Sequence, residues 1–186
     1  MIKIYLLLIT FFIVNILLFY TNKKKLIIKK RFLHTNLFYG YIKNFMSIKK
    51  VMIKNLSKQG IKNNEVYLTE LARSYDLAPK VYKCPNQKPN TMVIELLSDT
   101  DNWYMLYDYE KKFGKDKEID INICQGIRKL EKIGIEHNDL QDINIFVNSK
   151  SKKIYFIDFE DSKIIKNKKE SSNLKNSFYQ EKCNNI

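Results

Sequence analysis

The stretch IEHNDLQDINIF, residues 135–146, sets Asp139, Asn144 and one of only two histidines, His137, between two apolar runs. It follows IDINICQGIRKLEKIG, residues 119–134, whose Ile123, Ile127 and Leu130 share one helical face and whose Gly134 is placed to end the helix. After it come INIFV and KIYFIDF, residues 143–147 and 153–159, joined by polar NSKSK, a pattern that predicts a hairpin. HNDLQDIN is therefore a loop between a helix and a strand. Asn144 returns to the side from which Asp139 projects, and Asp158 ends the second strand beside Asn144. One carboxylate and one amide oxygen make a hard-oxygen site of the kind Mg²⁺ takes when phosphates supply further ligands. Asp139 is left to accept or orient the proton of an attacking hydroxyl. The joint spacing points to phosphoryl transfer.

Upstream, KKVMIKNL, residues 49–56, reads as a strand around Val51 and Ile53 that carries Lys54. KNNEVYLTELARSYDL reads as a helix capped by Asn63 or Asn64, with Leu68, Leu71, Ala72 and Tyr75 inward. On that wheel Glu65 borders the buried face and Glu70 faces solvent. PKVYKC and TMVIELL, residues 91–97, give two more strands, and SDTD caps a short helical piece containing Trp103, Leu106 and Tyr107. From Lys163 onward the sequence is polar and is expected to be loose.

Composition narrows the function classes. The chain of 186 residues has room for one ordinary domain or a small two-lobed one. Two histidines argue against a histidine-built metal centre. Cys84, Cys124 and Cys183 are odd in number and far apart, so reduced thiols are expected rather than a disulfide frame or a zinc site. The net charge of +13 resides in residues 1–64, which hold 13 Lys and Arg and no acid; the remainder carries 20 of each sign. A neutral body argues against nucleic acid as the partner.

The opening run, IYLLLITFFIVNILLFY at residues 4–20, would span roughly 25 Å as a helix, the lower limit for a bilayer. Lysines follow it with no cleavage site between. The expectation is a membrane anchor with the body cytoplasmic, or a signal plus basic transit segment for organelle import. A buried N-terminal helix, or a true start at Met46, are the other readings. The division that results is residues 1–45 as anchor and linker, 46–162 as domain and 163–186 as flexible tail.

HNDLQDIN matches H-x-D-x-x-x-x-N and DFE, residues 158–160, matches D-F-G, so the chain resembles the protein-kinase-like superfamily over about residues 49–162. VMIK resembles the V-A-I-K strand. The resemblance implies ATP and Mg²⁺ as cofactors, Lys54 as the phosphate-binding lysine and Glu65 as its helix partner. It further implies Asp139 as catalytic base, Asn144 and Asp158 as metal ligands, and the backbone of Glu95 to Ser98 as the adenine hinge. The fold it implies is α+β, two-lobed, with a reduced N-lobe sheet and a truncated helical C-lobe. Gly40 is the only glycine before residue 60, so no glycine-rich phosphate loop precedes Lys54; Asn138 replaces the arginine usual in Ser/Thr protein kinases; and 28 residues follow Asp158. HNDLQ and IDFE also resemble choline and ethanolamine kinases, while GIEHNDL resembles the corresponding loop of protein kinases. A compact, atypical Ser/Thr protein-kinase-like phosphotransferase is the favoured expectation, with an unknown protein or small alcohol as acceptor. A non-catalytic pseudokinase remnant and a small-molecule kinase are the alternatives.

Overall fold

The computed structural model describes residues 25–31, 37–43, 47–84, 87–165, 173 and 176–183. The apolar run at residues 4–20 lies outside them; among the described residues no helix is long and apolar enough to cross a membrane.

Strands β1 (Lys25–Arg31), β2 (Leu37–Lys43), β3 (Ile48–Asn55), β4 (Val81–Tyr82) and β5 (Thr91–Glu95) form an antiparallel sheet in the order β1-β2-β3-β5-β4. From sequence the domain opens at residue 46, whereas this sheet opens at Lys25. Lysine-rich and acid-free, β1 and β2 have the composition of a leader, yet they contribute Leu26 and Ile42 to one cluster with Val51, Ile53, Tyr82, Cys84 and Val93. Val51 and Ile53 are fully buried there. Since strand side chains alternate, Lys54 turns to the opposite face.

That face meets two helices. The short α1 (Lys58–Lys62) is capped by Ser57, whose hydroxyl accepts from Gly60 N at 3.0 Å. Helix α2 (Glu65–Ser74) buries Leu68 and Ala72 as its periodicity predicts, and Glu65 and Thr69 as well; Leu71 is half-buried, and Tyr75, which caps the helix C-terminus, is exposed rather than inward. Neither asparagine caps α2 with its side chain: Asn64 holds the N-cap in a left-handed conformation, φ 57°, without a side-chain hydrogen bond. Asn63 instead donates its amide to the Glu160 carbonyl at 2.9 Å.

The second half carries the larger core. Strands β6 (Trp103–Met105), β8 (Ile145–Asn148) and β9 (Ile154–Phe156) form a three-stranded sheet, and the predicted hairpin is β8–β9. Trp103 lies in a strand instead of the short helix expected, because β6 pairs with β8, Trp103 opposite Asn148. The helix begins later, as α3 (Leu106–Phe113). Helix α4 (Lys117–Lys132) starts where Asp116 accepts from Glu118 N and buries Ile119, Ile123, Ile127 and Leu130, one stripe of a 3.6-residue period. At Gly126 a Cβ would lie 2.8 Å from the Ile154 and Phe156 side chains, so only glycine lets α4 settle this closely on β9. Gly134, φ 81°, ends the helix segment as predicted. Strand β7 (Ile135–Glu136) then pairs with β10 (Lys163–Ile164).

The polar tail is not loose throughout. Helix α5 (Ser177–Cys183) docks on α4, burying Tyr179, Lys182 and Cys183. Cys124 and Cys183 are joined in a disulfide, which corrects the expectation of reduced thiols for these two; Cys84 forms none. Their separation of 59 residues carries no local spacing signal. Lys182 pairs with Glu110 and lies 3.6 Å from Asp120, and Arg128 donates to the Tyr179 hydroxyl at 3.1 Å.

Candidate active site

Lys54 stands where the two halves meet. Its Nζ lies 2.8 Å from Glu65 Oε1 on α2, 2.6 Å from Asp158 Oδ1 beyond β9, and 3.4 Å from Glu160 Oε2. Burial works against the lysine's charge, but the Glu65 and Asp158 carboxylates outweigh it and raise its pKa. Burial likewise pushes the Glu65 carboxyl above the ordinary carboxylate range, against the pull of Lys54. The Glu65 side chain is wholly buried, and its second oxygen, Oε2, has no hydrogen-bond partner. A Cβ at Gly60 would come within 2.6 Å of that oxygen, which explains a glycine inside α1. Ligand oxygens of Glu65, Asp158 and Glu160 lie within 4.8 Å of one another, a spacing that would suit a metal. Lys54 Nζ hydrogen-bonds to Glu65 and Asp158 and pairs with Glu160 at 3.4 Å, so a lysine already balances the charge of this cluster.

The loop after β7 supplies the second group. Asp139 is held from both sides: Gln141 Nε2 donates to its Oδ1 at 2.7 Å, and Asn144 Nδ2 to its Oδ2 at 2.6 Å. Asn144 Nδ2 also donates to the Asp139 carbonyl at 2.9 Å, which leaves the amide oxygen of Asn144 as its cation donor. Ile157 N donates to the Asn144 carbonyl at 3.0 Å, and this backbone bond brings Asn144 beside Asp158. Asn138 and Asp158, on the two segments, both have left-handed backbones, φ 63° and 62°, an uncommon conformation for residues with a side chain.

His137 is packed beneath the loop. It is fully buried, its ring packs on Phe159 at 4.9 Å, and its Nε2 lies 3.0 Å from the Ile157 carbonyl. A carbonyl only accepts, so Nε2 carries the proton and Nδ1 is left buried without a partner. Burial holds the His137 pKa below the ordinary value.

The two hinge residues stand apart from this group. Glu95 closes β5, its backbone N–H donating to the Lys80 carbonyl and its carboxylate accepting from Lys80 N. The Ser98 hydroxyl donates to Asp101 within its own turn. Beside them lies a cavity of about 610 Å³ lined by Leu97, Trp103, Tyr104, Met105 and Phe146 and by the charged Asp99, Asp108, Lys111 and Lys112.

Residues 90–182 match the family described as lipopolysaccharide kinase (Kdo/WaaP). The chain belongs to the lipopolysaccharide kinase (Kdo/WaaP) family. That family is a member of the protein-kinase-like superfamily, so the α+β fold and the kinase resemblance stand, and ATP with Mg²⁺ is the cofactor pair of a Kdo/WaaP kinase. No curated protein matches the chain. At the coarse level this makes it an ATP-dependent phosphotransferase.

The donors present fit those cofactors: Asp158 and Asn144 offer only oxygen, the ligand type Mg²⁺ prefers, with a cationic lysine beside them for phosphate. Two residues at this site go beyond the sequence assignments. Gln141 is two positions past Asp139 and was visible in HNDLQ; Glu160 fills the third position of the D-F-G match, where its carboxylate joins Lys54 and also accepts from the Ser57 hydroxyl at 2.5 Å.

Proposed function

We propose that the chain is an ATP- and Mg²⁺-dependent kinase that passes a phosphoryl group to the hydroxyl of a sugar or other small alcohol. The observation that carries this is one centre in which Lys54 bridges Glu65 and Asp158 while Asp139 is fixed by Gln141 and Asn144. Magnesium-bound ATP, when present, supplies the transferred group and neutralises its charge. Asp158 and Asn144 are the residues that would hold the metal. Lys54, oriented by Glu65, contacts phosphate. Asp139, with both oxygens engaged, faces an acceptor hydroxyl in a fixed orientation and takes its proton. Backbone groups between Glu95 and Ser98 take the adenine, next to the cavity that Leu97, Trp103 and Tyr104 help to line.

The description of the matched family as a lipopolysaccharide kinase supports this acceptor class. Residues 4–20, as an anchor, would hold the centre at a membrane surface, where a lipid-linked sugar is met. Protein serine or threonine is the second reading, favoured by the GIEHNDL match.

The test is full-length protein with labelled ATP against lipopolysaccharide, mixed proteins, choline and ethanolamine. Mg²⁺-dependent label is expected on lipopolysaccharide, and Asp158→Ala is expected to lower it about 100-fold or more. Equal labelling by wild type and variant sinks the assignment of the centre, and label on protein alone moves the acceptor to the second reading. A site saturated at 100 times Kd raises stability by about 2.7 kcal/mol, so millimolar Mg-ATP without a thermal shift would identify a non-catalytic remnant.

A further inference from the structure

The strand that leads into the phosphotransfer loop is gripped from the C-terminal tail. Asn173 is 1 % exposed; its Oδ1 accepts from His137 N at 2.9 Å and its Nδ2 donates to the Ile135 carbonyl at 2.8 Å. A backbone N–H only donates and a carbonyl only accepts, so these two neighbours fix the amide's orientation. The opposite side of the strand is equally tied: Ser162 Oγ donates to the His137 carbonyl at 2.9 Å, and β10 pairs along β7. His137 is two residues from Asp139. Asn173 is itself fastened, because α5 begins four residues later and is bolted to α4 by the Cys124–Cys183 bridge and to α3 by the Lys182–Glu110 pair.

We propose that Asn173 is a positioning residue for phosphoryl transfer: by matching one donor and one acceptor to the backbone of Ile135 and His137, it sets the loop that aims Asp139, and the disulfide-fastened α5 keeps it there. The proposal rests on the phosphotransferase reading above. It explains why the residue type is an amide. Aspartate could satisfy only the His137 N–H, and alanine neither group.

The test uses the full-length protein and the variants Asn173→Ala and Asn173→Asp, with kcat and KM for ATP measured alongside amide hydrogen exchange. Asn173→Ala is expected to lower kcat about ten- to a hundredfold, the scale of a misplaced reacting group, with KM for ATP changed less than about twofold. Exchange should rise at residues 135–139 and stay unchanged in β3 and β5. Asn173→Asp, which retains the acceptor for His137 N, should recover protection there and part of kcat. Should Asn173→Ala fail to fold, Asn173→Asp alone decides: a lowered kcat at unchanged KM supports positioning, and wild-type kcat overturns it. Wild-type kcat in Asn173→Ala, or protection lost evenly across both halves, also overturns the proposal while the kinase reading survives. A wild-type chain silent on every acceptor overturns both.

Discussion

Lys54, half-buried among carboxylates, and His137, fully buried, are two bases that pH should interrogate in opposite ways. Glu65 is already pushed above the ordinary carboxylate range by burial, with Lys54 as the opposing influence. Replacing Lys54 with methionine leaves that burial unopposed, so the cost should be about 3–5 kcal/mol at a pH high enough to ionise Glu65. The cost should shrink as pH falls through the raised Glu65 value, because a neutral carboxyl needs no cation. Urea midpoints of wild type and Lys54→Met at pH 7 and pH 5 measure it, and a pH-independent gap would refute the pairing. His137 has its folded pKa depressed below the usual 6.5, so its contribution to stability is full above that value and is lost as pH falls from there toward the folded value. His137→Gln keeps a donor for the Ile157 carbonyl but does not titrate. Its stability between pH 8 and pH 5.5 should fall less than that of wild type; parallel declines would show that His137 is not the group responsible. At this scale the sequence was legible. Asp139, Asn144 and Asp158 are linked through a loop and one hairpin, so their spacing in the chain nearly is their spacing in space. Gln141 and Glu160 were in view within the same motifs, but a side chain's bonding partner is not written in a spacing.

Among the elements, α5 is the one whose sequence hides its role. Its anchoring residues include a lysine, a cysteine and a tyrosine hydroxyl, and Asn173 ahead of it is an asparagine; polarity of that kind reads as solvent-facing until partners such as Glu110, Cys124 and Ile135 are known. Apolar periodicity, by contrast, located α2, α4 and the β8–β9 hairpin without difficulty. Closing a 59-residue separation should stabilise the folded chain by about 4 kcal/mol in the chain-entropy treatment. Cys183→Ser should therefore lower the urea-derived stability by up to that amount, and a dithiol reductant should destabilise wild type but not the variant. Equal sensitivity of both to reductant would show that the bridge does not form.

On the scale of the whole molecule, the boundary at residue 46 separates two predictions. With Met46 as the first residue the chain would lack β1 and β2, and Val51 and Ile53, fully buried, would lose Leu26 and Ile42 from their cluster. Such a protein should expose apolar surface, bind a hydrophobic dye and unfold at lower temperature than the full chain, losing its response to Mg-ATP. Identical melting of the two forms would return residues 25–43 to the status of a leader. The sequence could not settle this, because a strand recruited to a sheet by backbone pairing needs few apolar side chains of its own, and in β2 only Gly40 and Ile42 are buried.

The bridge between α4 and α5 has a practical side. A preparation handled in strong thiol and one handled without it would be different molecules at the loop that carries Asp139, so buffer redox state ranks with Mg²⁺ among the conditions to be fixed before two activity measurements are compared.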